Sequence, residues 1–336
     1  MMELAVLFIG LSLLLYVLLG GADFGAGIIE IFTGKKGIDT ISKAIAPVWE
    51  ANHIWLIVVI VILFNAFPAV YSTITLYLHI PIMLVLLGII FRGTAFTFRY
   101  YDPYQDCSHT IYTFIFKLFS VLTPFFLGIT LGAVILGELT IESSLSFYDQ
   151  FVNPWLSLFS LSLGIFLVVL FAYLAAVYLS GEPANNGSDL IFVNYSKKLL
   201  ILLIVSGLIV FLAAEFNKFH LFKKYLNSWI SIVCAVSATL LIPLFLWALN
   251  RKKKNLARII AGAQTGAIII GWFGIQFPVM VQLKNSPPLT VYNTVAPDKT
   301  LQMMILALTV GLALVIPLLV YLFKVFKFSN KGELDY

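Results

Sequence analysis

Charge is scarce in these 336 residues: Asp, Glu, Lys and Arg make up 11% of the chain, against 61% hydrophobic residues. Soluble domains carry about a quarter charged residues, so a soluble domain is not expected here. Cysteine is scarcer still, with two in the chain. Cys107 is expected in a loop and Cys234 inside an apolar helix, so they cannot pair. With no CxxC pair or thiolate cluster, a cysteine-bound metal or iron–sulfur centre lacks ligands, and we expect no metal site. No P-loop or dinucleotide fingerprint is found either.

What the chain has is long apolar runs and a mean hydropathy of +1.00. Runs of roughly 20 residues, the length that crosses a bilayer core, fall at about 4–31, 51–70, 74–97, 112–137, 154–180, 199–217, 228–249, 258–281 and 301–325. They predict an all-α membrane protein with nine transmembrane helices, built as two four-helix bundles plus one additional helix. Residues 1–137 form the first bundle and carry the polar motifs, 138–285 form the second, and 286–336 hold an outer loop, the ninth helix and a tail. The first run lacks a small-residue cleavage site and is read as a retained helix. The loop with Pro287, Pro288 and Pro297 is expected to be extended.

Basic residues sort to one side of such a layout. Lys218, Lys223, Lys224, Lys284 and Lys299 alone fall opposite the remaining Lys and Arg. Because basic loops stay cytoplasmic, the N-terminus is expected outside and the C-terminus in the cytoplasm of a multi-pass cell-membrane protein. The same asymmetry accounts for a pI near 9.0 without a nucleic-acid partner. The run Arg251 to Lys254 reads as a topology signal touching anionic membrane lipid.

Polar groups inside apolar helices are costly and point to function. Asp23, among Gly20, Gly21, Gly25 and Gly27, lies about 30 Å down the first helix, toward the cytoplasmic side. Glu50 and His53 open the second helix and, three residues apart, share a helical face. Arg92 closes the third helix on that side, so Asp23, Glu50 and Arg92 are expected around one polar cluster. Asn52 and Asn65 add polar atoms to the second helix. A line of titratable groups leading inward from the cytoplasm suits proton uptake, and Asp23, Glu50 and His53 are the candidates. Each residue alone also fits a structural role. Asp23 can bond a neighbouring helix and its glycines allow close approach. Glu50, after Pro47, can complement a helix dipole, while Trp49 and Trp55 can anchor at the interface and Arg92 and Arg99 can snorkel. Their gathering on one side favours function.

A haem held wholly by this chain would need axial His or Met. His109 and His220 fall in loops, while His53 and His79 lie toward opposite faces of the membrane. Met83, Met303 and Met304 are more simply packing.

The stretch from Gly20 to Gly27, Pro47-Val48-Trp49-Glu50-Ala51-Asn52-His53-Ile54-Trp55-Leu56, Phe64 to Pro68 and Phe91 to Arg99 resemble subunit II of the cytochrome bd-type quinol oxidases. Pro278 through Leu289-Thr290-Val291-Tyr292-Asn293 is similar to that family's last outer loop. The resemblance implies an oxidoreductase subunit of the bacterial cytoplasmic membrane. In the family, a haem-binding subunit I oxidises quinol and reduces dioxygen to water. Subunit II supports assembly and haem retention and contributes to proton supply. The haems are then expected in the partner, and no catalytic residue is assigned here. The resemblance also admits a bound structural quinone and a small accessory subunit. Asp23, Glu50, Asn52, Trp55, Arg92 and Arg99 fall on motif positions, with Trp49 beside them.

Departures from the family mark a divergent branch. His53 stands where the family commonly has Glu, Ala51 where it has Gly, and Thr97 where an acid lies between the two arginines. The rival reading is a secondary transporter whose first helix is broken by its glycines; the second half offers no matching broken helix.

Overall fold

A computed structural model of the chain describes residues 1–46, 49–102, 107–141, 145–182 and 188–325. The expected helix start at Pro47, part of the acidic loop after Glu138 and the tail beyond 325 lie outside them. Among the described residues, nine helices are long and apolar enough to cross a membrane. They are Met2–Thr33, Trp49–Ala66, His79–Tyr101, Ser108–Leu136, Leu158–Leu179, Leu190–Phe216, Trp229–Asn250, Lys254–Gln276 and Asp298–Leu322, here spans one to nine.

Span one is continuous. A π-helical turn at Tyr16–Gly20 joins its α-helical halves, and Gly34 at φ 56° ends it. The glycines therefore do not break the helix. The boundary between spans two and three differs from expectation. Span two stops at Ala66, and Pro68 opens a separate helix, Pro68–Tyr77. Proline has no amide hydrogen to give the preceding turn but is at ease in the first turn of a new helix. The proline-rich loop after span eight is extended, as expected. Val279–Val281 pairs antiparallel with Leu289–Thr290, and Leu283 bridges Leu139 at the end of span four.

Lipid tails are as apolar as leucine, so burial alone does not hold such helices together. Close backbone approach and polar contacts do. Span five packs against the second half of span one, against span four and against span six. Gly25 makes the first of these contacts possible, since a Cβ there would lie 1.8 Å from the Phe171 carbonyl oxygen. Gly27 likewise seats against Ser120 of span four. Around them lies the larger buried cluster, with Phe24, Phe116 and Phe171 fully enclosed. A second cluster, with Phe67, Trp155 and Leu283, fills the other end of the helices.

Candidate functional site

Asp23 and Glu30 are seven residues apart, two turns along span one, and so face the same way. Arg92 and Arg99 repeat that spacing on span three. The two helices bring these residues together as a two-rung ladder. In the first rung Arg92 Nη1 and Nη2 each donate to an Asp23 carboxylate oxygen at 2.9 Å. Nη2 also donates to the Asp23 carbonyl at 2.8 Å, and Nε to Ser120 Oγ at 3.1 Å. In the second, Arg99 Nη1 reaches both Glu30 oxygens, at 2.7 and 3.0 Å, and Lys117 of span four lies 3.6 Å from Oε1. The Phe116 ring sits between the rungs, 5.0 Å from the Arg92 guanidinium and 4.4 Å from that of Arg99.

Both rungs are sealed. The side chains of Arg92 and Asp23 are 1% and 2% exposed, and those of Arg99 and Glu30 3% and 0%. Charges removed from water this thoroughly persist only when paired and hydrogen-bonded. The guanidinium engages both Asp23 oxygens, so the pair is a close polar clasp between spans one and three.

The remaining expected residues surround this ladder unevenly. Glu50 does not join the cluster; its side chain is exposed. Trp49–Asn52 forms one helical turn, and the His53 amide bonds the Glu50 carbonyl at 3.2 Å as the helix resumes at Ile54, so Glu50 and His53 stay one turn apart while Glu50 faces outward. His53 turns inward, its ring 6.2 Å from that of Tyr16 and 5.6 Å from that of Phe24. Asn52 is buried and borders a cleft of about 90 Å³ that also reaches Asp23, Tyr178 and Glu182. Trp49 packs edge-on to Phe96 and rests on Gly93. Trp55 is buried rather than anchored at an interface. Asn65 bonds back to the Val61 carbonyl, outside the cluster. Three buried side-chain atoms have no partner among the described residues: Tyr16 Oη, His53 Nδ1 and Trp55 Nε1. An unmet polar group of this kind costs about 1–3 kcal/mol.

Sequence reasoning missed Glu30, Lys117, Ser120 and Tyr16. The signal for Glu30 was there, because Asp23–Arg92 and Glu30–Arg99 are each 69 residues apart. A lone tyrosine in an apolar run gave none.

The profile of cytochrome bd terminal oxidase subunit II matches residues 1–326. The chain belongs to that family. Over 99% of its length it is 26% identical to cytochrome bd ubiquinol oxidase subunit 2 of Bacillus subtilis, covering 96% of that relative. It is 32% identical over 95 residues to cytochrome bd-I ubiquinol oxidase subunit 2 of Escherichia coli, a match to 25% of that protein. Its fold is similar to a chain in the structure of bd oxidase from Geobacillus thermodenitrificans, with a TM-score of 0.79, 20% identity and coverage of 98% of this chain and 99% of that one. This bd-family subunit is thus a multi-pass component of an oxidoreductase complex, and the transporter reading is set aside.

Such complexes carry haem; the two histidines on spans, His53 and His79, sit apart, one beside Tyr16 and Phe24 and the other beside Phe151. His79 Nδ1 is engaged by the Leu76 carbonyl at 2.8 Å, and His220 pairs with Glu215 at 3.1 Å. Met83 and Met303 are exposed on their spans. His53 is hemmed in by the Tyr16 and Phe24 rings. No group of three metal-binding side chains forms among the described residues.

Proposed function

We propose that this chain is the haem-free subunit of a quinol oxidase, which holds a haem-bearing subunit I in place and feeds protons toward it from the cytoplasm. Its bacterial relatives are named ubiquinol oxidase subunits, and in this reading quinol oxidation is coupled to reduction of dioxygen to water. That reduction consumes protons, which must reach a buried site through protein. One observation supports the reading: the buried ion pairs of spans one, three and four gather at the end where the basic residues lie, the end the positive-inside rule assigns to the cytoplasm.

Within this reading the roles separate. The Asp23–Arg92 and Glu30–Arg99 rungs lock spans one and three into the surface that assembly requires. Glu50, at the surface of this chain, collects protons. His53, one turn further and turned inward, passes them on beside the Asp23–Arg92 pair; an imidazole has two ring nitrogens, one to take up a proton and one to release it. The family resemblance admits a structural quinone and an accessory subunit, and the basic run from Arg251 to Lys254 suits anionic lipid; no residue is assigned to the quinone or the accessory subunit.

Substituting Glu50→Gln together with His53→Leu tests the relay. In the assembled complex we expect unchanged haem content, with oxygen uptake and proton consumption both reduced several-fold. Wild-type rates of both in that double variant would remove proton supply from this chain's role.

A further inference from the structure

The unpartnered atoms beside the ladder share a neighbourhood. Tyr16 is 1% exposed, and its hydroxyl finds no partner among the described residues. The same holds for Nδ1 of His53, whose ring lies 6.2 Å from that of Tyr16. Tyr16 opens the π-helical turn of span one, and that turn packs on both helical pieces flanking His53, Trp49–Asn52 and Ile54–Ala66. A π-turn widens the helix by one residue and recurs at functional sites. Here it carries a tyrosine into the space in front of the imidazole.

A hydroxyl donates one hydrogen bond and accepts two, and an imidazole nitrogen needs one partner. Buried polar groups in native proteins are almost always satisfied by protein or by ordered water. The nearby cleft supplies a source. Its walls are Leu19, Ala22, Asp23, Asn52, Tyr178 and Glu182, among others, and its volume of about 90 Å³ holds a few waters. Asn52 is 4% exposed and directly precedes His53. Asp23 belongs to both the cleft and the ladder, and the Glu182 side chain, 21% exposed, stands at the wet end of the cleft beside Arg258.

We propose that Tyr16 and His53 form a seat for ordered water inside the first bundle, filled through the Asn52–Asp23–Glu182 cleft. The subunit thereby has a wet path to His53 that does not pass Glu50. This rests on the proton-supply reading only for its purpose; the water site itself rests on the two unpartnered atoms and on a cleft lined by Asn52, the residue before His53, and by Leu19, one turn after Tyr16.

Pulsed X-ray hydroxyl labelling of the intact complex in ¹⁸O-water, read by mass spectrometry, tests it, since radicals formed from bound water mark the side chains that touch it. Tyr173 is the internal control, being equally enclosed but with its hydroxyl satisfied by Gln264 at 2.7 Å. The expected result is labelling of Tyr16 several-fold faster than Tyr173, and a return toward the Tyr173 rate when Ala44→Leu narrows the cleft that Ala44 lines. Equal labelling of the two tyrosines in the wild-type complex would overturn the water seat. Fast labelling unaffected by Ala44→Leu would overturn the cleft as its supply. Fast, Ala44-sensitive labelling alongside wild-type turnover of the Glu50→Gln, His53→Leu variant would uphold the water seat while sinking the proton-supply reading.

Discussion

Arg92→Leu is expected to cost the subunit about 3–5 kcal/mol, the loss that follows when one partner of a buried ion pair is removed and the other is stranded. The stranded group is the Asp23 carboxylate, 2% exposed and held at both oxygens by the lost guanidinium. Ser120 Oγ and the Asp23 carbonyl lose a donor with it. Thermal unfolding of the complex should show a large fall, or too little complex should assemble to measure. Arg92→Lys keeps the charge but not the two-pronged geometry, so an intermediate loss is expected. The deciding variant removes both charges. Asp23→Leu with Arg92→Leu leaves no unpaired ion, and replacing a buried pair by apolar residues is often neutral or stabilising. Recovery of most of the lost stability would identify the pair as a lock. A double variant as damaged as Arg92→Leu alone would mean that the guanidinium does something other than neutralise Asp23.

Gly25→Ala carries the second large effect. The added methyl would sit 1.8 Å from the Phe171 carbonyl oxygen and 2.4 Å from its carbon, which are backbone atoms of span five. No rotamer change relieves a clash with backbone, so spans one and five must separate. Overpacking costs about 1–3 kcal/mol where side chains can yield, and the upper end is expected where they cannot. Separation would also shift Asp23, two residues away, relative to Arg92. Gly311→Ala is the matched control, since nothing lies within 4 Å of its added carbon and alanine favours a helix. Comparing the two melting temperatures in the assembled complex separates contact from helix propensity. Equal melting temperatures would show that the Gly25 contact does not hold the bundle.

The helices were legible because membrane length and apolarity are properties of the sequence itself. Nine apolar runs in the sequence correspond to nine helices long enough to span a membrane among the described residues. The errors fall at ends, where one proline decides, as at Pro68. Asp23 and Arg92 were legible as a pair because each is a rare charge inside an apolar run on the same side. Glu30 was passed over because it lies where the first helix was expected to end, and a carboxylate at a helix end ordinarily meets water. Only its direction toward span three makes it a buried ion, and direction is a tertiary property that the seven-residue spacing merely hints at. Glu50 was misplaced for the converse reason. Its turn stays in register with His53 through the bond from the His53 amide to the Glu50 carbonyl, but whether a side chain at a helix start faces the bundle or the outside is set by packing. The π-turn at Tyr16 leaves no mark in composition or periodicity.

The measurement that tests the account most directly is purification of the complex from its native membrane through a tag on this chain, with a reduced-minus-oxidised spectrum, identification of what co-purifies, and oxygen uptake driven by quinol. The expected result is a haem spectrum carried by a membrane partner, quinol-dependent oxygen consumption, and no haem on this chain once the two are separated. A stable, colourless protein that purifies alone, or haem that stays with this chain after separation, would contradict it.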